Sequence, residues 1–499
     1  MRVSFVVICL FLIASVHAQV NNSVAEKYGE TITAAGLSRQ LHVIAGPEME
    51  GRETATRGQE RAAAYIISQF EAAGLQPGVN GKWEQYYPLY SDSLLNSTIT
   101  VGKHTYQFAQ DFLADLRAGN NQDLKASRVF YMDAGDRNSY QGLNVKGQVV
   151  MIRDGIKRGL YREKGNLEER ISIAKEKGVA AVLVITPAAG RYKSLEQQKL
   201  RSTGVYWQKD TTINPNIYYI TPALAADILN TDKADNLPEE IDRGWKPPVV
   251  NNTVIHIVFD KAATILQPSN VLAYLEGTDK KEEIVFITAH YDHLGKKDNE
   301  IFYGADDDGS GTSAVIEIAA AFARAKQAGN GPRRSMVFMT VSGEEKGLLG
   351  SQYYTEHPVY PLANTVADLN IDMIGRIDPA HEKDTNYLYI IGDNKLSSEL
   401  RPINEKANDT HTHLKLDYKY NDPNDPEAFY YRSDHYMFAQ HGIPIIFYFN
   451  GTHADYHAPT DTVDKISFAL LAKRARLVFY TAWDIANREQ KLVVDRHEK

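Results

Sequence analysis

The strongest constraint in this chain lies beyond about residue 256, where apolar runs of strand length alternate with helical runs. Ile284–Ala289, Met336–Val341, Val366–Ile371 and Ile443–Phe449 read as strands, and Thr312–Lys326 reads as a strongly apolar helix. Strands alternating with helices predict an α/β fold, a mostly parallel central sheet flanked by helices.

Each of these strands runs into polar residues. The first leads into His290, Tyr291, Asp292 and His293, and the second into Ser342, Gly343, Glu344 and Glu345. The third leads into Asp372, and the fourth into a loop with His453, Asp455, Tyr456 and His457. The run GADDDGSG (304–311), with Asp306, Asp307 and Asp308, precedes the helix at 312. Open α/β sheets bind ligands in the crevice beyond the carboxyl ends of their strands. Histidines and carboxylates gathered there suit a zinc site made of nitrogen and oxygen donors. Taken singly, an Asp-rich turn before a helix is ordinarily an N-cap favoured by the helix dipole. A Glu-Glu pair after a strand is ordinarily solvated. Five such clusters at one sheet edge are better explained by one metal site than by five coincidences.

Competing motifs fail on physical grounds. Gly309–Ala314 formally fits a dinucleotide fingerprint, but three aspartates precede it and would repel a pyrophosphate, and no strand abuts it. There is no His-Glu-x-x-His pair and no Gly-x-Ser-x-Gly elbow. The stretch Asn421–Glu427 could hold calcium, yet its prolines favour a plain turn.

Composition narrows the class further. The 499 residues carry 55 Lys+Arg against 63 Asp+Glu, a charge of −8 that argues against a nucleic-acid partner. With 43% apolar and 24% charged residues the chain is globular, and its length predicts several domains. Residues 1–18 read as a signal peptide: Arg2, an apolar core from Ser4 to Ser15, then Val16, His17 and Ala18 before cleavage at Gln19. The only cysteine, Cys9, lies inside it, so the mature chain has no disulfide, no thiolate nucleophile and no Cys-ligated zinc. Cys9 is followed by Leu10, Phe11 and Leu12, unlike a lipidation box, and no later apolar run reaches membrane-spanning length. An exported product, periplasmic or extracellular, is expected. Sequons at Asn96 and Asn450 matter only in a glycosylating host.

Between the leader and the alternating region the pattern changes twice. Arg61–Ala73 places Ala63, Ile66, Ile67, Phe70 and Ala73 on one helical face and stops at Gly74, whereas 81–125 reads as short β segments and turns. Residues 126–255 form a separate small α/β module. In it Gly147–Arg153 is a strand, Leu167–Lys177 a helix stopped by Gly178, and Val179–Ile185 a second strand. A Pro-rich stretch at Trp245–Val250 closes it. The expected division is 19–125, 126–255 and 256–499.

Six strings carry a family likeness: ITAHYDHLG (287–295), GADDDGSG (304–311), SGEEKGLLGS (342–351), LNIDMIGR (369–376), RSDHYMF (432–438) and DYHAPTDT (455–462). In this order they resemble the two-zinc exopeptidases, which include secreted bacterial leucyl aminopeptidases and glutamate carboxypeptidases. The likeness covers roughly 256–490, with the helical segment near 30–75 resembling the N-terminal part of the same domain. The module at 126–255, through VKGQVVMIRDG and KGVAAVLVI, resembles the protease-associated domain often inserted in that family.

The resemblance implies roles. His290 and Asp372 would bind one zinc, Glu345 and His457 the other, and Asp307 would bridge the two. Glu344 would be the general base for a metal-bound hydroxide, and Asp292 would orient the His290 imidazole. Tyr456 and Arg432 are candidates for stabilising the intermediate and gripping one end of the peptide substrate, and His453 is the alternative ligand to His457. A carboxylate can bridge two cations about 3.5–4 Å apart, and an unligated one can pass the water's proton to the leaving amine. The function so implied is that of a two-zinc aminopeptidase. The alternatives are a carboxypeptidase or dipeptidase on the same scaffold, a single-zinc relative of the glutaminyl cyclase type, and an inactive binding homologue.

Overall fold

Strands buried on both faces read as unbroken apolar runs, and the four such runs of the C-terminal half form the middle of a nine-stranded sheet. The computed structural model describes residues 23–154, 156–158, 161–163, 167–186, 199–208, 215–232 and 237–496. The expected signal peptide and Cys9 lie outside these residues. The chain divides into two units, one built from the residues up to Pro88 and from Gln267 onward, the other from Leu89–Leu266.

In the first unit the main strands are β1 (Ser269–Leu275), β2 (Lys280–His290), β3 (Arg334–Val341), β4 (Thr365–Ile371), β5 (Tyr387–Ile391) and β6 (Ile445–Phe449). Their order across the sheet is β1-β3-β2-β4-β6-β5, with short strands added at both edges. The central four are parallel, whereas β1 runs antiparallel to β3 and β5 antiparallel to β6. His290 pairs with Val341, Thr288 with Asn370 and Ile371 with Tyr448. The carboxyl ends of the parallel strands therefore lie in line, and whatever follows them shares one edge.

Helices α1 (Ala34–Ile44), α2 (Arg57–Ala73), α3 (Gly311–Gln327) and α4 (Phe468–Asn487) pack in one core with alternate residues of β2, namely Val285, Ile287 and Ala289. The intervening Ile284 and Phe286 belong to a second core with Met339, Tyr354 and Phe438. This is the two-residue period of a strand. Phe322 of α3 is fully buried, its ring centroid 4.7 Å from that of Phe479 and 5.6 Å from that of Trp483. Truncating such a ring costs about 3–5 kcal/mol. The side chain of Thr33 caps α1 by accepting from the Gly36 amide. Gly74 ends α2 in the left-handed region at φ 80°, where the sequence predicts the stop.

The second unit is built mainly on two sheets, with a two-stranded one at Ile156–Arg158 and Tyr161–Glu163 beside them in sequence. In one, Leu89–Val101 pairs antiparallel with Ile255–Leu266 along its length. In the other, Val129–Tyr131, Val149–Arg153, Ala181–Ile185 and Asn216–Ile220 run parallel. The boundaries thus fall at Leu89 and Leu266 rather than at 126 and 255. The cause is the long strand at 89–101, whose partner lies far away in sequence and leaves no local signal. Among the described residues no helix is long and apolar enough to cross a membrane.

Candidate metal centre

The site grows from the aligned ends of β2, β3, β4 and β6. His290 is the last residue of β2 and is almost fully buried. Its Nδ1 lies 3.0 Å from the Asp292 carbonyl, and its backbone carbonyl accepts from the Thr312 hydroxyl at 2.7 Å. The ring's other nitrogen, Nε2, thereby faces carboxylates: Asp307 Oδ1 at 3.3 Å, Asp372 Oδ1 at 3.7 Å and Glu344 Oε2 at 4.0 Å. Asp292 is fully buried, accepts from the Thr54 hydroxyl at 2.6 Å and from the Glu344 amide at 3.3 Å, and brings Oδ1 to 3.7 Å from His290 Nδ1.

Of the three consecutive aspartates, two are occupied locally. Asp306 accepts from the Gly375 amide, from Asn450 and from His453 Nε2 at 3.1 Å. Asp308 accepts from the amides of Gly311 and Met373. Only Asp307 turns its carboxylate toward His290, His293 and His457, while its own amide donates to Asp461 Oδ2 at 3.2 Å. The loop is held from below by Arg52, fully buried, whose guanidinium donates to the carbonyls of Tyr303, Gly304 and Asp307.

Glu344 and Glu345 open a single turn entered through Gly343 at φ 75°. The adjacent carboxylates diverge. Glu345 reaches His293 Nδ1 at 2.8 Å and His457 Nε2 at 3.4 Å, whereas Glu344 faces His290. Burial pushes the Glu344 carboxyl well above its ordinary range, Glu345 and Asp372 adding to the effect and His290 opposing it. Asp372, just past β4, accepts from the Ser433 hydroxyl at 2.7 Å. His457 brings Nε2 to 3.1 Å from Asp307 Oδ2 and stacks on Tyr456, ring centroids 3.9 Å apart. Burial also raises the Tyr456 phenol, with Asp307 and Asp372 next, so the hydroxyl stays protonated and able to donate. Arg432 places Nη2 at 3.5 Å from that hydroxyl, and its partly exposed guanidinium lies over Phe429. A small pocket meets these groups and is lined as well by Met373, Phe429, Phe447 and Phe449.

Two groups of donor atoms converge, His290 with Asp307 and Asp372, and His293 with Asp307 and Glu345. Asp307 Oδ2, Glu345 Oε1 and both ring nitrogens of His293 are buried without a hydrogen-bond partner. Leaving such atoms unsatisfied costs about 1–3 kcal/mol each, and cations bound by oxygen and imidazole nitrogen would satisfy them. The donor set therefore fits a pair of metal ions sharing Asp307.

All five expected ligands, the expected base and Asp292 come together at this edge, and Tyr456 and Arg432 line the cavity. His453 does not reach it, because Asp306 holds its ring. Sequence reasoning assigned no role to His293, although it follows His290 by three residues. It also missed Arg52 and Thr54, which carry no motif, and Ser433 and Asp461, which lie inside two of the six strings; all four act across more than 60 residues of chain.

Residues 270–482 match peptidase family M28. The chain is 32% identical over 227 residues to a probable leucine aminopeptidase of Trichophyton verrucosum, covering 44% of this chain and 58% of that protein. It is 24% identical over 384 residues to a probable glutamate carboxypeptidase of Zea mays, covering 68% of this chain and 50% of that protein. The chain thus spans less than two thirds of the length of these relatives. Among solved structures, an aminopeptidase from Aneurinibacillus sp. shares the fold, with a TM-score of 0.52 and 19% identity over 95% of this chain and 100% of that one. All six motifs fall inside the stretch that is similar to peptidase family M28.

Proposed function

We propose that this chain, a zinc metallopeptidase by family, is an exported aminopeptidase that removes an N-terminal residue with two metal ions. The observation that carries this reading is the pair of donor groups sharing Asp307, with the unligated carboxylate of Glu344 beside them. His290, Asp307 and Asp372 would hold one ion, and Asp307, Glu345 and His457 the other. When bound, such ions polarise a carbonyl and lower the pKa of water. The remaining work belongs to the chain. Glu344, partly buried and near His290 but in neither donor group, takes the water's proton and returns it to the leaving amine. Asp292 holds the His290 ring so that Nε2 points inward. The Tyr456 phenol donates to the developing oxyanion. Met373, Phe429, Phe447 and Phe449 offer an apolar side chain a place in the cavity. The unit at Leu89–Leu266 corresponds to a protease-associated domain in this reading.

Asp307, Glu344 and Asp372 outnumber Arg432 in the lining and favour a substrate ammonium over a second carboxylate. Arg432 supports the second reading, a carboxypeptidase, because a guanidinium can grip a C-terminal carboxylate with two parallel hydrogen bonds. A free peptide, its N-acetylated form and its C-terminal amide separate the two. Aminopeptidase action requires that acetylation abolish cleavage and amidation be tolerated. Cleavage of the acetylated peptide but not the amide would replace the first reading with the second.

A further inference from the structure

We infer that His293 is a direct ligand of the second metal ion, so that this ion takes two imidazoles and two carboxylates from the chain while the first takes one imidazole and two carboxylates. The inference rests on the two-metal reading and extends it. His293 is fully buried, and neither ring nitrogen has a hydrogen-bond partner. Nδ1 nevertheless lies 2.8 Å from Glu345 Oε1 and 3.9 Å from Asp307 Oδ2, both of which also lack hydrogen-bond partners. Two polar atoms so close without hydrogen-bond alignment are aimed at a shared third point. His457 Nε2 approaches the same carboxylates, 3.1 Å from Asp307 Oδ2 and 3.4 Å from Glu345 Oε2.

The surroundings are built around the ring. Its backbone amide donates to the Arg52 carbonyl at 3.3 Å, and residue 293 bridges to Glu53, which fixes where the side chain starts. Gly304, the first residue of GADDDGSG, makes room for the ring: a Cβ there would sit 2.5 Å from His293 Cγ and 2.6 Å from Cδ2. The chemistry follows from the donors. With four protein donors against three, the second ion should be the more tightly held of the two.

Two measurements test this on the intact chain. In the first, zinc is titrated into metal-free wild type and His293→Ala in competition with a chromophoric chelator. Wild type should bind two equivalents, and the variant should lose at least about tenfold in affinity for the tighter one, since even partners outside the ligand set are worth about 10–100-fold. Two equivalents of unchanged affinity in the variant would overturn the inference and leave the two-metal reading intact, whereas a single equivalent in wild type would overturn both. The second needs no variant. In crystals of the zinc-loaded wild type, anomalous scattering should place a zinc about 2.0–2.1 Å from His293 Nδ1. Two zincs with neither bonded to His293 would overturn the assignment.

Discussion

At the scale of single residues, the proposed function gives the adjacent glutamates different tasks, metal binding for Glu345 and proton transfer for Glu344. Glu345 points at His293 and His457, and Glu344 points at His290 from outside both donor groups. Glu344→Gln should lower kcat by about 10²–10⁴-fold and retain both metals. Glu345→Gln should instead lower metal content, measured by elemental analysis after dialysis. The reverse pattern would shift the assignment by one residue. His435 illustrates a buried group with a different consequence. Burial pushes its imidazole from 6.5 down to about 3, partly offset by the hydrogen bond between its Nε2 and the Tyr430 carbonyl. The folded chain keeps this ring neutral while the unfolded chain protonates it. Its contribution to stability is full above about pH 6.5 and declines as pH falls toward about 3, at no more than about 1.4 kcal/mol per pH unit. Urea denaturation near neutrality and again about two pH units lower should show wild type losing more stability than His435→Gln. Equal losses would remove His435 from the acid sensitivity.

At the scale of elements, the loop before α3 depends on a residue far from it in sequence. Arg52 gives the carbonyls of Tyr303, Gly304 and Asp307 one planar set of donors. A lysine cannot reproduce that fork. Arg52→Lys should therefore weaken metal binding by about 10–100-fold without contacting a ligand side chain, as read by chelator competition. Unchanged affinity would mean that the loop holds its shape alone. Arg52 also marks the limit of what was legible in the sequence. Strands β2, β3, β4 and β6 announce themselves because burial on both faces makes each an apolar run, and the ligands follow directly at their ends. Of the proposed ligands, His290, Glu345, Asp372 and His457 could be found because each ends or follows such a strand, and Asp307 because it lies in the Asp-rich run before α3. Arg52 and Thr54 could not, because hydrogen bonds to partners more than 200 residues away impose no local pattern. His293 stood in plain view. Its role depends on ring direction and on the space left by Gly304, which no spacing rule conveys.

At the scale of the whole molecule, the same contrast separates the two units. The parallel sheet of the first could be read from its alternation, and so could the strand–helix–strand centre of the second. The boundary between them could not, since the strand at Leu89–Val101 finds its partner at Ile255–Leu266. The central claim is that Asp307 joins two metal ions into one catalytic centre. Stepwise return of zinc to the metal-free chain, with hydrolysis of a free-amine peptide followed at each addition, tests it most directly. Activity should reach its maximum only as the second equivalent per chain is bound, and a strong chelator should abolish it. Full activity at one equivalent, or activity that survives the chelator, would contradict the claim.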